Sequence, residues 1–296
     1  MSGAVAAVVT YGRMIKFSHS IFALPFALSG ALLAARGSGI TSGQLGWIVI
    51  AMVAARSAAM GFNRLADRHL DAANPRTRGR ELPAGLVSPA AVVALVAGSS
   101  ALLLFAAFQL NPLCLYLAPA VLLVLLGYSL TKRFTCLSHL VLGICLGGAP
   151  LGAWIALAGE FALVPIVLGL AVVTWVSGFD IIYACQDAEF DRETGLHSIP
   201  ARFGIGPALF VARVLHLAAV GVMLLVGQMA GLGGVYVAGV VVVGGLLLWE
   251  HRLVRADDLS RLDMAFFTMN GIISVVFFLF LVGDVVWVGE GVKVWW

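Results

Sequence analysis

Residues 162–191 read ALVPIVLGLAVVTWVSGFDIIYACQDAEFD: eighteen uncharged, mostly apolar positions, then Asp180, Asp187 and Asp191. A helix that crosses a bilayer needs about 20 such residues. The stretch therefore predicts a transmembrane helix that leaves the membrane carrying a row of carboxylates. The same window moved along the chain predicts nine spans, at about 19–36, 44–64, 87–109, 112–130, 137–158, 162–183, 206–227, 230–249 and 265–288. Asn111-Pro112 and the glycines Gly231, Gly233 and Gly234 mark tight turns between neighbouring spans. The expected fold class is all-α: a polytopic membrane protein of about nine helices around a central cavity, one domain over 1–296.

Composition agrees with this. Of 296 residues, 61% are hydrophobic and 11% charged, against roughly 25% charged in a soluble domain. A mean hydropathy of +1.03 excludes a secreted disulfide domain, a disordered regulator and a nucleic-acid binder working through a basic face. The four cysteines, Cys114, Cys136, Cys145 and Cys185, form no CxxC pair and read as small core residues.

Fifteen of the eighteen Lys and Arg residues fall in the loops of one face. Arg36 and Lys293 fall on the other, and Arg56 lies inside span two. Cytoplasmic loops carry the excess of basic residues, so the N-terminus is expected in the cytoplasm and the C-terminus outside. An arginine deep in an apolar span is costly and marks a functional site. Arg64, Arg68 and Arg78 read as topology and headgroup residues, His139 and His216 as structural, and Asp284 as interfacial.

The acids are as unevenly placed as the bases. Residues four apart share a helix face, so Asn63, Asp67 and Asp71 form one polar stripe and Asp180, Tyr183, Asp187 and Asp191 another. Each stripe is expected to end an unbroken span at the cytoplasmic face. Their offset of four spans suggests a duplicated four-helix unit. Like charges near a membrane need a cation, so Asp67, Asp71, Asp187 and Asp191 facing one another imply a divalent metal. Oxygen-only ligands favour Mg2+, which keeps waters and is shared with substrate phosphates. Arg76, Arg80, Lys132 and Arg133 in the adjoining loops supply phosphate ligands. An apolar cavity capped by Mg2+ and arginines suits an isoprenyl diphosphate.

These residues resemble the UbiA-type membrane prenyltransferase superfamily. The first motif reads Asn63-xxx-Asp67-xxx-Asp71 and the second Asp180-xx-Tyr183-xxx-Asp187-xxx-Asp191. Tyr128-xxx-Lys132-Arg133, Leu142-Gly143 and Gly147-Gly148-x-Pro150 resemble the segment around span five of 4-hydroxybenzoate polyprenyltransferases, and Arg56 matches an arginine of that subgroup. The resemblance implies a bacterial inner-membrane enzyme of quinone biosynthesis that moves a polyprenyl group onto the ring of a small aromatic acid. It implies Asp67, Asp71, Asp187 and Asp191 as catalytic residues that, with Asn63, hold Mg2+. Lys16, Arg56, Arg76, Arg80, Tyr128, Lys132, Arg133, Asp180 and Tyr183 would bind substrate. Tyr128 or Tyr183 would face the allylic cation, and Arg56 an anionic substrate group. Beyond its substrates and membrane lipid, no nucleic-acid partner is implied.

The acceptor is where the sequence departs from the pattern. The chain reads Arg13-Met-Ile-Lys16-Phe-Ser-His19 at span one and has Glu81 where a proline is usual. A branch that prenylates naphthoate precursors of menaquinone is the alternative. A secondary transporter with intramembrane carboxylates is the alternative from another class, disfavoured because transporter sites lie near the midplane on broken helices.

Overall fold

The computed structural model describes residues 3–16, 20–287 and 294–295. His19 and Lys293, which entered the readings above, lie outside the described residues. In chain order the helices are α1 (Gly3–Met14), α2 (Ser20–Ser38), α3 (Ser42–Ala66), α4 (Arg68–Ala73), α5 (Pro89–Leu110), α6 (Pro112–Thr131), α7 (Ser138–Ala158), α8 (Leu163–Ala184), α9 (Ala188–Glu193), α10 (Ile199–Phe203), α11 (Ile205–Met229), α12 (Gly234–Leu253) and α13 (Asn270–Trp287). A 3-10 turn, Cys185–Asp187, joins α8 to α9, and a π-helical segment, Met264–Met269, leads into α13. Ile40–Thr41 pairs in parallel with Val294–Trp295.

Among the described residues eight helices are long and apolar enough to cross a membrane, and α2 carries a shorter apolar stretch over Phe22–Arg36. Every predicted span is a helix, with ends shifted by a few residues. The turn at Asn111 is tight, as its sequence implies. The Asn111 side chain accepts a hydrogen bond from the Cys114 amide (2.9 Å), which starts α6 directly after α5.

The chain forms two compact units, residues 1–20 with 47–130 and residues 21–46 with 131–296. In the first, Met14 and Ile15 pack with Leu82, Val87 and Val92. In the second, Phe26 stacks on Phe277 and tilts against Trp175, with ring centroids 5.0 Å apart in both pairs.

Lipid is as apolar as a leucine side chain, so helices in a bilayer associate through close packing and hydrogen bonds. Both are visible in the second unit. A Cβ placed on Gly143 would lie 2.6 Å from the Val173 carbonyl oxygen, and one on Gly147 would lie 2.7 Å from that of Gly169. The two glycines therefore bring the backbones of α7 and α8 into contact.

Hydrogen bonds also close the helix ends of the second unit. Arg36 donates to the Ala230 carbonyl (2.7 Å) at the C-terminus of α11. Asp284 accepts from the amides of Gly233 (2.8 Å) and Tyr236 (3.1 Å) and so caps the start of α12. This corrects the interfacial reading of Asp284, which is 3% exposed. A buried carboxylate is tolerated there because two otherwise unpaired amides and a helix N-terminus receive it.

Candidate functional site

The first acidic motif does not sit on an unbroken helix. α3 ends at Ala66, and Asp67 takes φ −95°, ψ 7° before α4 begins, in the sparsely occupied bridge between helix and strand. The four-residue bonding survives the break: Asp67 N donates to Asn63 O (2.9 Å) and Asp71 N to Asp67 O (2.7 Å). Asn63 therefore stays one turn before Asp67, and its amide donates to Asp67 Oδ2 (3.1 Å).

The loop after α4 folds back onto Asp71. The Asn74 side chain accepts from the Arg76 amide (2.9 Å), and the Thr77 hydroxyl donates to the Asp71 carbonyl (3.0 Å). This turn carries Arg80 back so that its Nη1 donates to Asp71 Oδ1 at 2.7 Å. Arg64 Nη1 lies 3.9 Å from Asp71 Oδ2, an oxygen with no hydrogen-bond partner although it is buried.

Arg64 corrects the headgroup reading given to it. It is 3% exposed, and its Nε donates to the Met14 carbonyl (3.1 Å). The signal was in the spacing, because Arg64 stands seven residues before Asp71, two turns up the same face. Arg56 Nη2 donates to the Lys16 carbonyl (3.2 Å), and Lys16 is held in the left-handed region at φ 52°, a conformation costly for a residue with a Cβ.

Lys16 stands among like charges. Burial, then the guanidinium groups of Arg64 and Arg80, hold its ammonium below the ordinary lysine value; Arg76 adds to this and Glu81 opposes it. Tyr128, near the end of α6, is an electrostatic neighbour of both Arg56 and Arg64. The first unit thus gathers Asn63, Asp67 and Asp71 with Lys16, Arg56, Arg64, Arg76, Arg80 and Tyr128.

The second motif repeats the local geometry. α8 ends at Ala184, the 3-10 turn follows, and Asp187 takes φ −103°, ψ 5° before α9. In both motifs a bridge-region aspartate is followed by a six-residue helix carrying the next aspartate. The expectation of unbroken spans is therefore corrected at both motifs.

Asp191 neighbours Asp187, Lys132, His139 and the Ser198 hydroxyl, and the His197 amide donates to the Lys132 carbonyl (2.7 Å). That bond ties the loop after the motif to the segment after α6, which carries Lys132 and the exposed Arg133. Tyr183 stacks on Phe266, with centroids 4.0 Å apart, and meets the edge of Phe267. Asp180 Oδ2 lies 2.7 Å from His139 Nδ1. Among the described residues no three His, Cys, Asp or Glu side chains converge as a preformed metal cage.

These are two acidic motifs at helix breaks, flanked by cations, on a polytopic α-helical membrane protein. The chain belongs to the UbiA prenyltransferase family, whose sequence signature matches residues 23–281. It is 34% identical over 231 residues to the 4-hydroxybenzoate octaprenyltransferase of Azoarcus sp. (strain BH72), a match that covers 77% of this chain and 79% of that protein. Against the enzyme of the same name from Marinobacter nauticus it is 30% identical over 268 residues, 90% and 91% of the two chains. The apo structure of a UbiA homologue from Aeropyrum pernix K1 aligns with a TM-score of 0.82 at 34% identity, covering 90% of this chain and 98% of that one. A UbiA homologue from Archaeoglobus fulgidus, solved with DMAPP and Mg2+, shares the fold at 20% identity and a TM-score of 0.69, covering 92% and 97%. The chain is a membrane prenyltransferase, and the transporter alternative is set aside.

Proposed function

We propose that this enzyme transfers the polyprenyl group of a polyprenyl diphosphate to a ring carbon of a small aromatic acid of the 4-hydroxybenzoate type. The step belongs to quinone biosynthesis at a bacterial inner membrane, with the acidic motifs at the cytoplasmic face. The carrying observation is the pair of bridge-region aspartates, Asp67 and Asp187, each followed by a second aspartate and accompanied by cations. The repeated geometry also supports descent from a duplicated four-helix unit.

The donor set suits Mg2+: Asn63, Asp67, Asp71, Asp187 and Asp191 offer oxygens alone, and Asp71 Oδ2 is buried without a hydrogen-bond partner. When bound, Mg2+ supplies charge that stabilises the diphosphate as a leaving group. Lys16, Arg76 and Arg80, with Lys132 and Arg133, bind the diphosphate oxygens. As the C1–O bond breaks, its electron pair leaves with the diphosphate, and these fixed cations meet the charge that develops. The ring faces of Tyr128 and Tyr183 offer π density to the allylic cation. Phe266 covers one face of Tyr183, so its opposite face serves. Arg56 holds the acceptor carboxylate, and Asp180 contacts the acceptor. A ring carbon then bonds to C1, and its proton passes to a carboxylate or to the diphosphate.

A naphthoate acceptor is the second reading, favoured by Glu81 and the span-one sequence. Purified enzyme supplied with a long-chain prenyl diphosphate and either 4-hydroxybenzoate or hydroxynaphthoates decides between them. Transfer to 4-hydroxybenzoate is expected, and transfer confined to the naphthoates overturns the first reading.

A further inference from the structure

We infer that His139 is a positioning residue that presents Asp180 as hydrogen-bond acceptor for the hydroxyl group of the aromatic substrate. This rests on the function proposed above and extends it to a residue that reads as structural in the sequence.

The packing fixes where His139 stands. It lies in the first turn of α7, one turn before Gly143, where α7 and α8 touch. Ser177 of α8 also reaches across it: its hydroxyl proton is shared between the Val173 carbonyl of its own helix (2.7 Å) and the His139 carbonyl of α7 (3.2 Å). The imidazole is buried and has a partner at each nitrogen. Nδ1 lies 2.7 Å from Asp180 Oδ2, and Nε2 lies 3.3 Å from the Ile199 amide nitrogen. The amide can only donate, so Nε2 accepts and carries no proton. In a neutral ring the proton is then on Nδ1, which donates to Asp180. One amide thereby fixes the tautomer that orients the carboxylate.

Asp180 is placed for an organic ligand. It stands seven residues before Asp187, about 10 Å along a helix. Asp180 lies deeper in the span than the metal motif, and its side chain is 23% exposed while that of His139 is 5% exposed. The carboxylate is therefore backed by a donor and open on its other side. Among the groups of a hydroxylated aromatic acid, the hydroxyl donates to a carboxylate, and that bond raises the electron density of the ring that attacks C1. The glycine seam and Ser177 already join α7 to α8, so the imidazole is not required for that packing.

The test is steady-state kinetics of the full-length enzyme in detergent, with 4-hydroxybenzoate and a long-chain prenyl diphosphate. His139→Ala should lower kcat/KM for the acceptor by about tenfold or more, the range for a lost hydrogen bond to a charged group. The donor KM should stay near wild type. His139→Asn, whose amide nitrogen stands close to the place of Nδ1, should recover most of the loss. Asp180→Asn should reproduce the acceptor-specific loss, and it keeps the test decisive should His139→Ala fail to fold. Unchanged acceptor kinetics in His139→Ala or Asp180→Asn overturn the inference. So do equal losses toward donor and acceptor with no recovery in His139→Asn, the signature of a merely structural pin. A wild-type enzyme that transfers nothing to 4-hydroxybenzoate overturns the substrate reading as well. An active wild type with an indifferent His139 overturns this role alone.

Discussion

Replacing Gly143 by alanine probes the seam that sets His139 beside Asp180. A Cβ at position 143 would lie 2.6 Å from both Ser177 Oγ and the Val173 carbonyl oxygen. The hydroxyl can rotate away; the carbonyl is backbone and cannot. Ordinary contact begins near 3.4 Å, so α7 must retreat from α8 by the difference, about 0.8 Å. Overpacking of this kind costs about 1–3 kcal/mol. The helix propensity gained on removing a glycine is the same at Gly148, which lies on the same helix and has nothing within 4 Å of its added Cβ. Comparing Gly143→Ala with Gly148→Ala cancels the propensity and leaves the steric cost. For a chain of 296 residues, about 2 kcal/mol corresponds to a gap of about 3 °C in thermal midpoint, measured by unfolding in detergent. The same retreat, transmitted in full, would stretch the 2.7 Å contact between His139 and Asp180 to about 3.5 Å, where hydrogen bonding is nearly lost. Acceptor kinetics should therefore worsen in Gly143→Ala alone. Coincident midpoints for the two variants, or intact acceptor kinetics in Gly143→Ala, would refute the reasoning.

Asp67→Asn and Asp187→Asn should each reduce transfer by about a hundredfold or more, as expected when a group that acts only in the transition state is removed, while thermal midpoints stay close to wild type; an active variant of either kind contradicts the two-motif assignment. Removal of divalent metal with EDTA should stop turnover and added Mg2+ restore it, so turnover that persists in EDTA argues against metal dependence. Arg56→Ala should raise the acceptor KM about tenfold and the donor KM much less; equal changes would instead assign Arg56 to supporting Lys16, whose carbonyl it binds. Because Lys16 is held below the ordinary lysine value, the cost of charging it is full below its lowered pKa, falls as pH rises past that point, and is gone above the ordinary lysine value. A bound diphosphate restores the proton's advantage, so binding of inorganic diphosphate at alkaline pH, below the ordinary lysine value, should take up protons. Calorimetry in two buffers of different ionisation heat measures this, and equal uptake in Lys16→Met would exclude Lys16 from the site.

The spans were legible in the sequence because a bilayer leaves the backbone no choice but to pair within the helix, and an apolar run of sufficient length then reports a helix almost by itself. The acidic stripes were legible because four-residue spacing is a local property. Features set by partners distant in sequence were not. Asp284 finds its amides 51 and 48 residues away, and His139 finds Asp180 41 residues away. Nothing beside those residues advertises the partner, so a lone acid or imidazole in apolar surroundings defaults to a bland reading. Arg64 was legible in principle, since its seven-residue spacing to Asp71 follows the same local rule that places Asn63, Asp67 and Asp71 on one stripe.

The helix breaks at Asp67 and Asp187 are the most informative difference. Neither NRLADRHLDAA nor YACQDAEFDRE contains glycine or proline, so local propensity favours a continuous helix through each. The surrounding fold imposes bridge-region dihedrals at both aspartates, and such conformations persist where the structure over-determines them, commonly at functional sites. An aspartate before a helix would normally spend its carboxylate on capping the first amides, yet neither Asp67 nor Asp187 makes a side-chain capping bond. Two unrelated accidents would not produce the same pair of dihedrals, the same uncapped aspartate and the same six-residue helix. Within the proposed reaction, a carboxylate that does not cap the helix it precedes can ligate the Mg2+ that neutralises the diphosphate.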